Sequence, residues 1–517
     1  MAILIKNATI VNEGKIFEGS VVIEGEKIAS ITPVEEGFAF NEADYQVVDA
    51  KGLLLLPGVI DTHVHFRDSG ADPMLHADFA SESCAAVAGG VTSVVDMPNT
   101  TPQTTTLELL EQKERMAASK SVVNYGFMLG ATNDNIDQLL AVDPKRYAAI
   151  KLFLGSSTGN MLVNNPEMLD KLFKESKKLI VAHCESEEII QNNQLRYRAE
   201  YGSLTAEQLK AYNEQLKRQY EEAKEQLVED EAGNMPKLPE PLYVENLAQL
   251  HPQIRNTEAC YLSTYRAIER ALKYKTRFHV AHITTATELG LLTRQPLHEK
   301  HITAEVTPNH LWFDDRDYVR LGNLIKCNPA IKSNDDRLAL WAALYDGYID
   351  TIGSDHAPHP LENKQKNYFD APGGIPSLQH TLPMMLETFF NPIALASDEG
   401  EGAGCQQTGS AFLTPLVKEW IPMIVEKMSH NPAQLFGIAD RGFIREGYRA
   451  DLVLVNPTVE EKVNQQDLRY KCGWSPLVGE TFHTRVEKTF VNGQLAYDHD
   501  NPTMVPSAKG EPLQFIK

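Results

Sequence analysis

What most limits the folds open to this chain is a repeated change of period. Between two β-rich ends, eight short apolar runs of strand character alternate with helical patterns. The runs end near His65, Met97, Leu129, Phe153, His183, His282, Thr307 and Asp355. Segments such as ADFASESCAAVAGG and NPEMLDKLFKESKK lie between them and read as helices. Strand–helix alternation calls for a parallel sheet, and eight repeats suit closure into an α/β fold of the (β/α)8 TIM-barrel type. A length of 517 residues exceeds one ordinary domain, but such barrels often run large.

The two ends have a different texture. ILIKNATIV and SVVIEGEKIASI are β-rich and punctuated by Gly14, Gly19 and Gly25. ADLVLVNP reads as a strand, and VEKTFVNGQLAY places an Asn492-Gly493 hairpin turn between two apolar runs. We therefore expect residues 58–430 to form the barrel. Residues 1–57 and 431–517, the latter opening with a helix, then supply a small β-sandwich built from both termini.

Two segments read as insertions. One is helical and covers about residues 196–245. Its helix runs from Leu204 to Leu227, with Thr205 and Gln208 as a capping box and Leu204 and Leu209 as a hydrophobic staple. Leu209, Tyr212, Leu216, Tyr220, Ala223 and Leu227 form one stripe. That stripe suits packing on the barrel's outside, or a coiled-coil or oligomer contact. The other insertion, SDEGEGAG, is acidic and Gly-rich and reads as a mobile loop.

Charge and cysteine usage narrow the class. Asp and Glu number 70 against 49 Lys and Arg, a formal charge of -21. Such a surface argues against nucleic acids and anionic membranes as partners. The six cysteines are scattered without a CxxC pair, as in reduced cytosolic proteins. The first residues do not resemble a secretory leader and no apolar run approaches a membrane span, so the expected location is the cytoplasm.

Metal-binding residue types recur at the strand ends. DTHVHF puts His63 and His65 two apart after an apolar run, where alternate side chains share a face. Alone, an HxH pair says little. AAIKLFLG adds Lys151 inside an apolar strand, where a charged amine is expensive to bury. Lys151 either faces outward in an ion pair or reacts with CO₂ to give an anionic carbamate that can bridge two metals. IVAHCE ends on His183, FHVAHITT on His282 and TIGSDHAPH on Asp355. Four imidazoles, a lysine and a carboxylate at barrel strand ends suit zinc.

In that order these residues resemble the binuclear amidohydrolase superfamily, from residue 57 to about 460. The resemblance implies two divalent ions, expected to be Zn²⁺. His63, His65 and Asp355 would hold the more buried one, His183 and His282 the other, with N6-carboxylated Lys151 as the bridge. Asp355 would also be the catalytic acid/base. Within the superfamily the chain resembles the dihydroorotases. HVHFRDSG carries Arg67, DMPNT carries Asn99, DHAPH carries His359 and IKCNPAIK carries Asn328. NYFDAPGGIPSLQ resembles a substrate-covering loop in which Gly373 and Gly374 allow close backbone approach.

The implied activity is the reversible interconversion of N-carbamoyl-L-aspartate and dihydroorotate in pyrimidine synthesis. The implied partners are a small-molecule substrate and further copies of the chain. Arg67, Asn99 and His359 would hold the ring carboxylate. Plainer roles stay open at this point. Arg67 can pair with Asp68 or Asp72, Asn99 can shape a turn with Pro98, and His359 can be an exposed loop residue. Two other functions compete: a dihydropyrimidinase or hydantoinase, and a non-catalytic scaffold of the same fold.

Overall fold

The computed structural model describes residues 2–36, 40–68, 77–155, 161–225, 238, 241–390, 415–502, 506 and 508–516. Eight parallel strands form the centre: β1 (Val59–Val64), β2 (Val91–Asp96), β3 (Asn124–Phe127, resumed at Leu129–Gly130) and β4 (Ile150–Phe153). They continue with β5 (Ile180–His183), β6 (Phe278–Val280), β7 (Ile302–Val306) and β8 (Thr351–Ile352). Neighbours pair in sequence order from β1 to the first part of β3, and from its second part to β8. The break inside β3 is spanned by Met128 N–H to Asp96 O and Ala148 N–H to Phe127 O. The ring closes where Val64 pairs in parallel with His356 and His65 N–H donates to His356 O at 2.8 Å. This is the barrel expected from the alternation. Its strands are buried on both faces, which is why they read as apolar runs rather than alternating ones.

The termini join in one eight-stranded mixed sheet. Leu452–Asn456 lies antiparallel to Leu54–Pro57, which in turn runs parallel to Ala2–Asn12. The expected hairpin forms, with Asn492 at φ 50° and Gly493 at φ 72°. A left-handed pair of this kind matches the twist of the strands it joins. Gly493 is also required for space, since a Cβ there would lie 2.1 Å from Gly25 O.

Two of the expected boundaries, 196 and 430, fall inside helical segments, while 57/58 and 245 fall between elements. Residue 196 falls inside a continuous helix, Glu187–Tyr201. Its sequence contains no Gly or Pro, and Gly202 is the first breaker. Residue 430 likewise ends a π turn, Glu426–His430, that joins helix Pro415–Val425 to Asn431–Phe436.

The inserted helix spans Ala206–Glu225. Its start is the capping box read from the sequence: Thr205 N–H donates to Gln208 Oε1 at 2.9 Å, and Gln208 N–H to Thr205 Oγ1 at 3.3 Å. Leu209 is buried and Leu204 packs on the same cluster, while Tyr212, Leu216, Tyr220 and Ala223 are half-buried. The stripe is thus anchored at Leu209 and only half covered beyond it. Leu227 and the SDEGEGAG segment lie outside the described residues. Among the described residues no helix is long and apolar enough to cross a membrane. The five cysteines described are unpaired.

Candidate active site

The C-terminal ends of the barrel strands bring all six candidate ligands into one cleft. His63 ends in a bond from Nδ1 to Glu305 Oε1 at 2.6 Å, so its Nε2 faces inward, 3.3 Å from Asp355 Oδ1. His65 donates from Nδ1 to Asn99 Oδ1 at 2.7 Å and turns Nε2 to Asp355 Oδ1 at 3.1 Å. His183 donates from Nε2 to Glu185 Oε2 at 2.8 Å, leaving Nδ1 inward, 3.0 Å from His282 Nε2. A carboxylate only accepts, so Glu305 and Glu185 fix the protons on the outer nitrogens and leave lone pairs pointing at the cleft. Donor atoms of His63, His282 and Asp355 lie within 4.8 Å of one another.

Burial favours the neutral form of three of these imidazoles: it lowers His65 to about 4, and lowers His183 and His282 as well. Burial alone would raise Asp355, but its surroundings outweigh that and hold its carboxylate below the usual range.

Among the six candidate ligands, Lys151 Nζ and His282 Nδ1 are buried without a hydrogen-bond partner. Lys151 points inward and is 1% exposed, so the outward ion pair is excluded. Burial lowers its amine to about 8, which makes the neutral, nucleophilic form more accessible than in an exposed lysine. Imidazole lone pairs converging beside an acceptor carboxylate are hard to explain without a cation. The donor set fits a metal.

The substrate-side candidates line the same cleft, except His359, which stands behind its wall. Arg67 Nη1 lies 3.1 Å from His359 Nε2, and His359 Nε2 lies 3.1 Å from Gly373 O. His359 is half-buried rather than an exposed loop residue. Arg67 makes no ion pair with Asp68, whose carboxylate instead takes Lys120 Nζ at 2.8 Å and Phe79 N–H at 3.2 Å. Asp72 lies outside the described residues. Asn99 has its amide oxygen committed to His65, so it orients a candidate ligand besides lining the cleft. Asn328 Oδ1 and Arg67 Nε are buried without partners. Gly374 has φ 142° and a Cβ there would lie 2.3 Å from Ala357 O, so only glycine fits.

Sequence reasoning missed Glu305 and Glu185, and with Glu185 its second partner, Arg255. It also missed that Arg67, His282 and Asp355 all sit at positive φ, at 50°, 37° and 48°. Left-handed backbone at non-glycine residues clusters at functional sites, at a cost of order 1–3 kcal/mol each.

The sequence profile of the amidohydrolase family matches residues 54–496. The dihydroorotase of Methanosarcina mazei is 30% identical over 92% of this chain and 90% of its own. The allantoinase of Salmonella newport is 26% identical over 99% of this chain and 98% of its own. The L-hydantoinase (dihydropyrimidinase) of Arthrobacter aurescens superposes with a TM-score of 0.78 at 24% identity, covering 99% of both chains. The chain belongs to the amidohydrolase family and is a hydrolase.

Proposed function

We propose that the chain is a dihydroorotase, closing N-carbamoyl-L-aspartate to dihydroorotate and reopening it, and that its six candidate ligands, with Lys151 N6-carboxylated, would hold two zinc ions. One observation carries the choice of substrate. Arg67 reaches into the cleft with no carboxylate in ion-pair reach among the described residues, and its Nε is buried without a partner. A buried guanidinium lacking an acid is costly unless the ligand brings one. Dihydroorotate carries a ring carboxylate. Hydantoin, allantoin and dihydrouracil do not.

Each candidate has a defined task. His63, His65 and Asp355 would hold one cation, His183 and His282 the other, and the Lys151 carbamate both. A pair of divalent ions supplies Lewis acidity, acidifying water and polarising an amide carbonyl. Asp355 Oδ1, held below the usual carboxylate range and so ionised, accepts a proton from water and returns it to the ring nitrogen as the C–N bond breaks. In the closing direction it takes the proton from that nitrogen as the C–N bond forms and delivers it to the departing carboxyl oxygen, which leaves as water. Arg67, Asn99 and His359 orient the carboxylate. Asn328 Oδ1 accepts a hydrogen bond from a ring N–H, and the glycine pair lets the backbone approach the ring face.

Allantoinase is the second reading, favoured by the full-length likeness to the Salmonella protein. A panel of dihydroorotate, allantoin, hydantoin and dihydrouracil with zinc-loaded protein separates the two. Preferred opening of an uncharged ring would overturn the dihydroorotase proposal.

A further inference from the structure

Two buried lysines gather the carbonyls of the loop that walls the cleft. Lys364, on the short helix Leu361–Lys364, is 1% exposed. Its Nζ donates to Lys326 O at 3.0 Å, Pro372 O at 3.0 Å and Gly374 O at 2.8 Å. Lys326 Nζ donates to Tyr368 O at 2.8 Å and Ala371 O at 2.6 Å. Gly374 N–H completes the set with a bond to Lys326 O at 2.8 Å. Neither lysine is in an ion pair among the described residues, though the charge of Asp370 is felt at Lys326. Burying an amine without an acid is unfavourable, and an apolar side chain of equal length would avoid that penalty. What the amine provides is three donors at one point, matched by three carbonyls.

Those carbonyls belong to the substrate wall. Gly373 lies so close to Asn328 that a Cβ would be 3.0 Å from the Asn328 amide. Gly373 O is also 3.1 Å from His359 Nε2. A shift of the 372–374 backbone therefore moves the surroundings of Asn328 and His359 together.

We propose that Lys364, assisted by Lys326, is a positioning residue: by holding the carbonyls of residues 372 and 374 it fixes the wall of Asn328, Gly373 and His359 against which the substrate ring lies. It touches neither the ring nor the candidate ligands. The part concerning the ring rests on the cyclic-amide reading of the cleft; the clamp does not.

The test uses the full chain with Lys364→Met, which keeps the length and removes the donors. Lys364→Gln keeps part of the donor set, and Lys366→Ala is the exposed control. Amide exchange over residues 366–376 should quicken about tenfold or more in Lys364→Met, equivalent to losing one strong hydrogen bond. It should quicken less in Lys364→Gln and not at all in Lys366→Ala or in the terminal sheet. On whichever ring the unaltered protein opens, KM should rise about tenfold with kcat within about threefold and metal content unchanged. Unchanged exchange overturns the clamp. A fall in kcat and metal content at constant KM overturns the positioning role. A protein that opens none of the rings defeats the proposed function, while the exchange result still decides the clamp. If Lys364→Met does not fold, Lys364→Gln decides by the same two readouts.

Discussion

On the metal side of the cleft, three inward-facing imidazoles are each backed by a polar side chain: His63 by Glu305, His65 by Asn99 and His183 by Glu185. Glu305 and Asn99 stand on or just after other strands, while Glu185 is locked from outside by Arg255. On the substrate side the residues stand on connecting segments. His359 meets the Gly373 carbonyl, Gly374 is held by Lys364 and the Lys326 carbonyl, and Arg67 meets the His359 ring. They keep polar atoms, Arg67 Nε and Asn328 Oδ1, buried and unmatched. The metal side is preorganised by charge-assisted bonds between rigid elements. The substrate side is assembled from loops and leaves hydrogen-bonding capacity for a ligand to complete. Changes on the first side should depress every substrate together, and changes on the second should discriminate between substrates.

The largest effect is expected from Lys151→Ala. It removes the only unpartnered amine among the candidate ligands, so metal content should fall and activity drop by roughly ten-thousandfold or more on all rings, about 5 kcal/mol of barrier. Full metal occupancy with normal turnover would refute the bridge. Asp355→Asn keeps the shape but cannot take the water's proton, so kcat should fall about a thousandfold, within the range set by general acid–base catalysis. Metal content measured on the same sample separates proton transfer from lost coordination. Near-normal rates at full occupancy would remove Asp355 from the mechanism.

Arg67→Met probes the other side. A charge-assisted bond contributes about 1.5–3 kcal/mol, so kcat/KM for dihydroorotate should fall roughly a hundredfold. Uncharged rings, if opened, should be unaffected or improve. Equal losses on charged and uncharged rings would show that Arg67 serves structure, and the contrast between the two sides would collapse. Glu305→Gln returns to the metal side with a smaller change. The amide oxygen can still accept from His63 Nδ1, but the charge that raises the basicity of Nε2 is gone. Metal affinity should weaken about tenfold or somewhat more, and excess metal should restore activity. Unchanged affinity in a metal titration would make Glu305 a packing residue.

The sequence made the metal side legible because a ligand at a strand's end interrupts an apolar run with a polar residue, and six positions did so in one order. Glu305 escaped because ITAEVT looks like ordinary alternation. Only a strand buried on both faces makes that carboxylate anomalous, and burial on both faces follows from the closed barrel. Glu185 sits next to a recognised motif, but its partner Arg255 lies 70 residues away, beyond the reach of local pattern. The carbonyl clamp of Lys326 and Lys364 has no signature at all, since main-chain acceptors occur at every residue. The positive φ values of Arg67, His282 and Asp355 were equally silent, because no glycine marks them. The terminal hairpin and the helix start were readable for the opposite reason: their bonds close within two to four residues, where side-chain identity decides the geometry.

The smallest effect is expected where neither side of the cleft is touched. Thr205→Ala removes the cap of the inserted helix, whose hydroxyl accepts from Gln208 N–H at 3.3 Å. Loss of such a cap costs about 0.5–2 kcal/mol of helix stability. The helix reaches the core through Leu209 and Leu204, in the cluster that also contains Tyr201, Cys327 and Tyr368. Cys327 precedes Asn328, and Tyr368 lies in the clamped loop. If the insertion merely covers the barrel's flank, exchange should quicken in residues 206–225 while kcat, KM and metal content stay within about twofold on every ring. If it buttresses the substrate wall, KM should rise with kcat and metal content unchanged, in the same direction as Lys364→Met but by less. The first outcome confines the cleft's determinants to its two sides. The second extends the substrate side outward through Tyr368 and Cys327, and explains why a stripe of only partly buried residues is kept on that helix.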